Sequence, residues 1–171
     1  GVGGACATAD AAAAIAREVV DAVLRRTHEI FDSWSPKSET SQISSSSDTG
    51  TWRPISEPLL DALRAAHDAS SVSDGAFDPA RAAAAASELG HPAISGTCAD
   101  AKAFTDTFEW RVAGTGKAWE LRKAAPGAGL DLLGVAKGWA CAEVVRGLCS
   151  RGLPDALFCW GGEACASGKH P

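Results

Sequence analysis

Hydrophobic positions repeat with a helical period in two segments of the first half of the chain. In residues 11–31 they fall near one face of a helix, at Ile15, Val19, Val23, Ile30 and Phe31. A second helix is predicted from Ser56, a suitable N-cap, to about Ser70, with Leu59 and Leu63 on its buried side. An alanine run at 82–86 is compatible with a further helix.

The second half of the chain combines strand and helix patterns. Residues 108–112 and 118–122 alternate with a period of two around Gly114 and Gly116, which predicts a β-hairpin. A helix is predicted from about Gly134 to Ser150, with Gly152 as its stop, and residues 156–160 are predicted to form a buried strand. Helices, a hairpin and a buried strand together indicate the α+β class.

The segments between these elements are rich in serine, glycine and proline. The serine-rich stretch 41–50 is predicted to be a flexible loop, and residues 74–79 are predicted to be irregular. Trp34 lies between two serines and close to a proline, so it is either a lid over the core or a stacking platform for a ligand. With 171 residues, the chain is predicted to form a single domain over 1–171.

Composition limits the classes of partner. The chain is 46% hydrophobic, but many of these residues are alanines, which add little core volume. A net charge of −5 argues against nucleic acid as a partner, and no apolar run approaches the roughly 18 residues of a membrane span. The chain contains no Met, which predicts that it is not a whole primary translation product.

The six cysteines show no pairing at metal-binding spacing. They stand at positions 6, 98, 141, 149, 159 and 165, without a C-x-x-C pair, so a structural zinc is not expected. An even number is compatible with disulfides, whereas the apolar patterns around the last four favour buried, reduced thiols. The second interpretation predicts an intracellular location, mitochondrial or cytoplasmic.

Three segments place small residues beside a charged one, where a ligand can approach the backbone: 75–78, 131–139 and 160–163. Lys137 lies among small residues and is either a phosphate ligand or a solvated helix lysine. Asp131 is either an N-cap or a ligand, and Asp78, before Pro79, is either the centre of an Asx turn or a ligand. Residue chemistry alone indicates a phosphate-containing ligand and no more.

Five motifs then occur in order: SWSPKSETS at 33–41, ISEPLL at 55–60, SDGAFDP at 73–79, DLLGVAKGW at 131–139 and GGE at 161–163. Because these five motifs occur in this order, the chain resembles the ApbE family, the FAD:protein FMN transferases, over roughly residues 30–168. The resemblance implies an α+β fold with a mixed β-sheet flanked by helices, and FAD and Mg²⁺ as cofactors. It also implies transfer of FMN from FAD to a Thr or Ser hydroxyl of a target flavoprotein, with release of AMP.

The resemblance also implies roles for individual residues. The positions that match FAD-contacting ones are Trp34, Ala76, Phe77, Asp78, Asp131 and Lys137. Gly134 matches a position whose backbone carbonyl holds the metal, an oxygen ligand that Mg²⁺ accepts readily. No catalytic residue is assigned.

The chain also departs from the family pattern. The family's C-terminal part, with a His before an Asp-Pro step and an Ala-Asp followed by a Thr, completes the metal site and has no counterpart before Pro171. Ala142 replaces an acidic residue, serines at 44–47 replace a loop with Asn, and residues 3–5 match an N-terminal segment weakly. Two hypotheses remain: a C-terminally incomplete flavin transferase, or a catalytically degenerate accessory subunit of a larger assembly, for example a mitochondrial one.

Overall fold

The computed structural model describes residues 9–88, 90, 103–113 and 118–169. Residue contacts divide the chain into two compact units. Unit 1 comprises Gly1–Thr27 together with Lys137–Pro171, and unit 2 comprises His28–Ala136. The single domain over 1–171 stays a prediction.

Helices and strands are mixed along the described chain, which confirms the α+β class. The elements in chain order are α1 (Ala9–Phe31), α2 (Glu39–Ser45), β1 (Arg53–Ile55), α3 (Glu57–Val72), α4 (Pro79–Glu88), α5 (Phe104–Thr107), β2 (Phe108–Ala113), β3 (Ala118–Lys123), α6 (Leu133–Ser150), β4 (Ala156–Trp160) and β5 (Glu163–Ser167). The predicted helices at 11–31, 56–70 and 134–150 are confirmed as α1, α3 and α6, and the alanine run lies in α4. The pattern did not predict α2, α5, β1 or β5.

Unit 2 contains a three-stranded antiparallel sheet in the order β1-β3-β2. The pairing of β2 with β3, in which Trp110 lies opposite Leu121, confirms the predicted hairpin. Its turn at 114–116 lies outside the described residues, as do residues 3–5, Cys6 and Cys98. Large side chains that are almost wholly buried in this unit include Phe31, Leu59, Leu60, Leu63, Phe104, Phe108, Leu130 and Leu132.

The serine-rich loop predicted from Ser41 is wrong for its first half, because residues 41–45 lie in α2. Ser38 caps this helix by accepting a hydrogen bond from the Ser41 N–H at 3.2 Å. Within the helix, the hydroxyl of Ser44 donates to the carbonyl oxygen of Thr40 at 2.9 Å. Serine hydroxyls usually compete with helix formation by bonding locally to the backbone, but here those bonds are made inside the helix and at its cap.

Unit 1 packs the 9–27 part of α1 against α6. Its fully packed centre is formed by Val19, Val144 and Leu148. A Cβ atom added to Gly147 would lie 2.7 Å from Cγ1 of Val19, so the absence of a side chain at 147 allows this close approach. The helix ends where predicted: Gly152, with φ of 85°, donates its N–H to the carbonyl of Cys149 at 3.1 Å, and Leu153 donates to Leu148 at 3.0 Å.

Strands β4 and β5 form a two-stranded antiparallel hairpin in unit 1. Gly161 and Gly162, with φ of 59° and 93°, make the two-residue turn between them. The predicted full burial of β4 is wrong, because its residues alternate between half-buried and exposed, and Leu157 is 71% exposed. A two-stranded sheet with one packed face leaves alternate side chains of a strand open to solvent.

The four described cysteines are all free thiols. Cys141 is buried, and burial raises the pKa of its thiol, whereas Cys149 and Cys159 are exposed and Cys165 is half-buried. Burial was therefore predicted correctly for Cys141 and wrongly for Cys149 and Cys159.

The helices of the described ranges fall short of the combination of length and apolarity that crossing a bilayer requires.

The contact between Gly147 and Val19 predicts opposite effects for two alanine substitutions in α6. Gly147→Ala places a methyl group where it overlaps the side chain of Val19, and this overlap should destabilise the protein by about 1–3 kcal/mol. Gly138→Ala, where nothing lies within 4 Å of the new Cβ, should stabilise it by roughly 0.5–1 kcal/mol through helix propensity. Urea unfolding of both variants measures the difference, and equal stabilities would contradict the close approach.

Candidate functional site

Two of the three candidate segments meet in unit 2. The N–H of Asp131 donates to the carbonyl oxygen of Pro79 at 3.1 Å, which joins the 76–79 segment to the start of α6. The ring of Phe77 lies against Gly134, where an added Cβ would be only 2.8 Å from Cε2 of Phe77. The structure therefore brings together three of the residues predicted from the sequence, Phe77, Asp131 and Gly134.

A sharp turn after α3 directs Phe77 toward Gly134. Asp74 and Gly75 both have positive φ, 51° and 75°, and the N–H of Gly75 donates to the carbonyl oxygen of Ser70 at 2.8 Å. The N–H of Phe77 then donates to the hydroxyl oxygen of Ser73 at 3.0 Å. These bonds end the helix and fix the irregular segment that the sequence predicted, with Ala76 inside it.

Asp78 is buried, and its carboxylate is occupied by the protein itself. Oδ1 accepts hydrogen bonds from the N–H groups of Ala80, at 2.9 Å, and Arg81, at 3.1 Å. Oδ2 accepts from the N–H of Phe104 at 3.1 Å and lies 3.8 Å from Nε of Arg81. The structural interpretation of Asp78 is confirmed, since it caps α4 and ties that helix to α5. Its contact with FAD stays a prediction.

Asp131 also begins a helix, but it is only half-buried. Its Oδ1 accepts from the N–H of Leu133 at 2.9 Å, which satisfies one of the unpaired donors at the start of α6. Gly134, one residue further along the helix, is exposed. Asp131 is not itself the N-cap: that position is Leu132, whose carbonyl oxygen accepts the N–H of Ala136 at 2.9 Å, and Asp131 caps the first turn from the residue before it. Its second carboxylate oxygen can still accept a bond from a ligand.

Lys137 and the turn of the β4–β5 hairpin meet in unit 1. A Cβ added to Gly161 would lie 3.2 Å from Cδ and 3.5 Å from Nζ of Lys137, so the lysine stem rests on the bare backbone of the turn. Lys137 is exposed, and none of the ion pairs among the described residues includes it. The third candidate segment is therefore next to the lysine that the sequence singled out.

Trp34 is 65% exposed, so the interpretation of this side chain as a lid over the core is wrong. The main-chain N–H of Trp34 donates to Oδ1 of Asp32 at 2.9 Å, and the hydroxyl of Ser41 donates to the carbonyl oxygen of Asp32 at 3.3 Å. The turn that carries the indole is thus tied to α2, and the exposed ring is compatible with a stacking role.

Two structural residues around this region were missed from the sequence. Glu39 accepts from both the N–H, at 2.8 Å, and the hydroxyl, at 2.6 Å, of Ser56, which is the N-cap of α3. Lys123 is buried at the end of β3, where burial and, to a smaller extent, the charge of Arg53 lower the pKa of its ammonium group. The period-two pattern gave a signal for Lys123, since it lies on the same face of β3 as the buried Leu121.

The described residues do not form a complete magnesium site by themselves. No group of three or more His, Cys, Asp or Glu residues among them is arranged to hold a metal ion. The Gly134 carbonyl, the one metal ligand that the resemblance implies, would supply a single oxygen, whereas Mg²⁺ takes an octahedral set. The proposed role of Gly134 in metal binding stays a prediction.

The packing of Phe77 on Gly134 predicts a strong coupling between the two positions. Gly134→Ala should destabilise the protein by about 1–3 kcal/mol because its methyl group displaces the ring. In a Phe77→Ala background the same change should be neutral or stabilising, which gives a coupling energy of about 1 kcal/mol or more in chemical denaturation. Gly138→Ala is the control and should behave alike in both backgrounds, whereas additive effects of Gly134→Ala and Phe77→Ala would contradict the contact.

The comparisons with known proteins agree on one family. The family model described as the ApbE family matches residues 4–171. The chain is 32% identical over 163 residues to a protein of Chlamydia muridarum named FAD:protein FMN transferase. It is 30% identical over 161 residues to the protein of that name from Chlamydia trachomatis. Each alignment covers 91% of this chain and 50% of the relative, so the chain spans about half the length of the curated relatives it matches.

Solved structures show the same fold. The apo flavinyl transferase ApbE of Pseudomonas stutzeri matches with a TM-score of 0.77 at 20% identity, over 98% of this chain and 53% of that one. The flavin transferase ApbE of Vibrio cholerae matches with a TM-score of 0.73 at 19% identity, over 91% of this chain and 51% of that one. From the fold and from the family match over residues 4–171, we conclude that the chain belongs to the ApbE family.

Proposed function

We propose that this chain binds FAD and takes part in flavin transfer, the movement of FMN from FAD to a Thr or Ser hydroxyl of a target flavoprotein with release of AMP. The observation that carries the proposal is the meeting of the 76–79 segment with the start of α6. There an aromatic ring, the backbone of Gly134 and the carboxylate of Asp131 come together in unit 2. The names of the chlamydial relatives support the same activity.

The residues of this region suit a nucleotide in different ways. The Asp131 carboxylate can accept a hydrogen bond from a ligand hydroxyl or ring N–H, because only one of its oxygens is bonded to Leu133. Ala76 is proposed to contact the nucleotide through its main chain, and Phe77 through its ring. The carboxylate of Asp78 already serves Ala80, Arg81 and Phe104, so we assign it the task of holding the segment in place. The exposed ring of Trp34 is proposed to stack on the flavin nucleotide.

Lys137 is proposed to bind the pyrophosphate of FAD. Its exposed ammonium is a point charge on a stem that rests on Gly161, and such a charge suits phosphate oxygens. In the transfer step, the acceptor hydroxyl loses its proton to solvent and its oxygen attacks the phosphorus on the flavin side. The bond from that phosphorus to the bridging oxygen breaks, so that AMP leaves with the bridging oxygen. The ammonium group of Lys137 is proposed to stabilise the charge that develops on the phosphoryl oxygens. Dependence on Mg²⁺ remains part of the proposal, and no step is derived through that ion.

The second candidate is a catalytically degenerate accessory subunit of a larger assembly. The self-contained bonding of Asp78 favours it, because a residue at an FAD-contacting position of the family serves the fold here. The two functions differ in whether FAD binding leads to AMP release. An intracellular location, mitochondrial or cytoplasmic, stays a prediction under both.

FAD titration by calorimetry, with and without Mg²⁺, tests the binding site. Lys137→Gln should weaken FAD binding about tenfold or more through loss of a charged hydrogen bond, with little change in stability. Lys169→Gln is the matched control, since Lys169 is an exposed lysine of the same unit. Binding that Lys137→Gln leaves unchanged would contradict the proposed role of the lysine, and absence of FAD binding by the unmodified chain would contradict the function.

Release of AMP tests the transfer itself. The protein incubated with FAD, Mg²⁺ and a flavoprotein acceptor carrying the modifiable Thr should release AMP in proportion to the FMN that becomes covalently attached. Asp131→Asn should slow the release without unfolding the protein, because the amide still accepts the Leu133 N–H. FAD binding without any AMP release would support the accessory subunit instead.

A further inference from the structure

The ammonium group of Lys123 is enclosed in unit 2 by oxygen atoms of the main chain. The residue is only 5% exposed. Its Nζ donates to the carbonyl oxygens of Ile43 at 3.3 Å, Ser44 at 3.1 Å, Ser46 at 2.5 Å and Ala128 at 3.1 Å. Within the described chain, these four carbonyls, which we call the carbonyl cage, are its hydrogen-bond acceptors.

The carbonyl cage takes the place of water around a buried charge. Three of its oxygens belong to the end of α2 and the residue after it, where the last carbonyls of a helix lack their usual partners, and the carbonyl of Ile43 also accepts the N–H of Ser46 at 3.3 Å. The nearby carboxylate of Asp48 is engaged by Thr51 and Arg53, each at 3.0 Å. Lys123 is therefore held as a ring of carbonyls holds a bare cation, by several dipoles instead of one counter-charge.

The fourth carbonyl connects this cage to the candidate site. Ala128 lies three residues before Asp131, in the segment that leads from β3 to α6. The N–H of Leu130 donates to the hydroxyl of Ser44 at 3.0 Å, and the N–H of Asp131 donates to Pro79 at 3.1 Å. The ammonium and Ser44 thus fasten the segment 128–130 to α2, directly before the residue that meets the 76–79 segment.

We propose that Lys123 is a positioning residue for the nucleotide site: its ammonium holds the segment before Asp131 in place through the carbonyl cage. This inference rests on the proposed function, because Asp131 is a ligand only if FAD binds. Lys123 itself does not touch the nucleotide. Its removal should loosen the 128–130 segment, which then keeps its bond to Ser44 but loses the one at Ala128, and should take one hydrogen bond from each carbonyl of the cage.

Lys123→Met tests the proposal, since it keeps the length of the side chain and removes the charge and the donors. We expect FAD affinity to fall about tenfold or more, because displacement of a binding group by about 1 Å is costly, while circular dichroism shows a folded protein. Arg122→Met is the control, because Arg122 precedes Lys123 on β3 and lies on the other face of the strand. There it pairs with Glu109 and stacks on Trp52. The control should bind FAD as the unmodified protein does, and the same result for Lys123→Met would overturn the proposal.

Chemical rescue of Lys123→Ala separates a charge effect from a packing effect. The atoms deleted from the side chain correspond to n-propylammonium. This ion should raise the thermal midpoint and the FAD affinity of Lys123→Ala, whereas n-propanol and sodium chloride at equal concentrations should not. Equal effects of propylammonium and propanol, or no effect of either, would overturn the proposal even if Lys123→Met fails to fold.

The two readouts distinguish this inference from the proposed function. If the unmodified protein binds no FAD, the proposed function fails, and the positioning role fails with it. Rescue of the thermal midpoint by propylammonium then still decides whether the ammonium holds the carbonyl cage. If the unmodified protein binds FAD and Lys123→Ala shows no amine-specific rescue, the function stands and the inference fails.

Discussion

Main-chain N–H and carbonyl groups at the helix ends of unit 2 have to find partners inside the protein, and this requirement organises the candidate site. Asp78 caps α4, Ser56 caps α3, and Lys123 satisfies the end of α2. Each of these side chains also joins a second segment distant in sequence, through Phe104, Glu39 and Ala128 respectively. The irregular segments of the site therefore take their positions from helix caps together with the buried side chains beside them, such as Leu130 and Leu132.

This organisation explains why the residues of the family motifs have different roles, some structural and some proposed to bind the ligand. Asp78, which is buried, and Glu39, which is half-buried, each have both carboxylate oxygens bonded within the protein. Asp131 is bonded to Leu133 through one oxygen, and Lys137 is exposed, so both keep an atom that a ligand can reach. The bonds that a side chain makes within the protein therefore divide these motif residues into a group that builds the site and a group that is proposed to use it.

Much of the fold could be predicted from periodicity, because α1, α3 and α6 each bury a stripe of apolar residues at helical spacing. Helix α2 could not, since its serines satisfy bonds to Leu130 and Thr40 that exist only in the folded chain. The candidate residues of the site were found by motif order, but their neighbours were not. The contact of Phe77 with Gly134 depends on a turn with positive φ at Asp74 and Gly75, and periodicity carries no information about such a turn.

The carbonyl cage determines which of the residues around Lys123 can be substituted without loss of its hydrogen bonds. All four acceptors are main-chain oxygens, so replacing the side chain of Ile43, Ser46 or Ala128 leaves each acceptor in place. The requirement for a long side chain with a terminal cation falls on position 123 alone. The two segments that supply the acceptors, 43–46 and the one around 128, can therefore change at these three positions without loss of an acceptor, while position 123 carries the requirement that holds the two segments together.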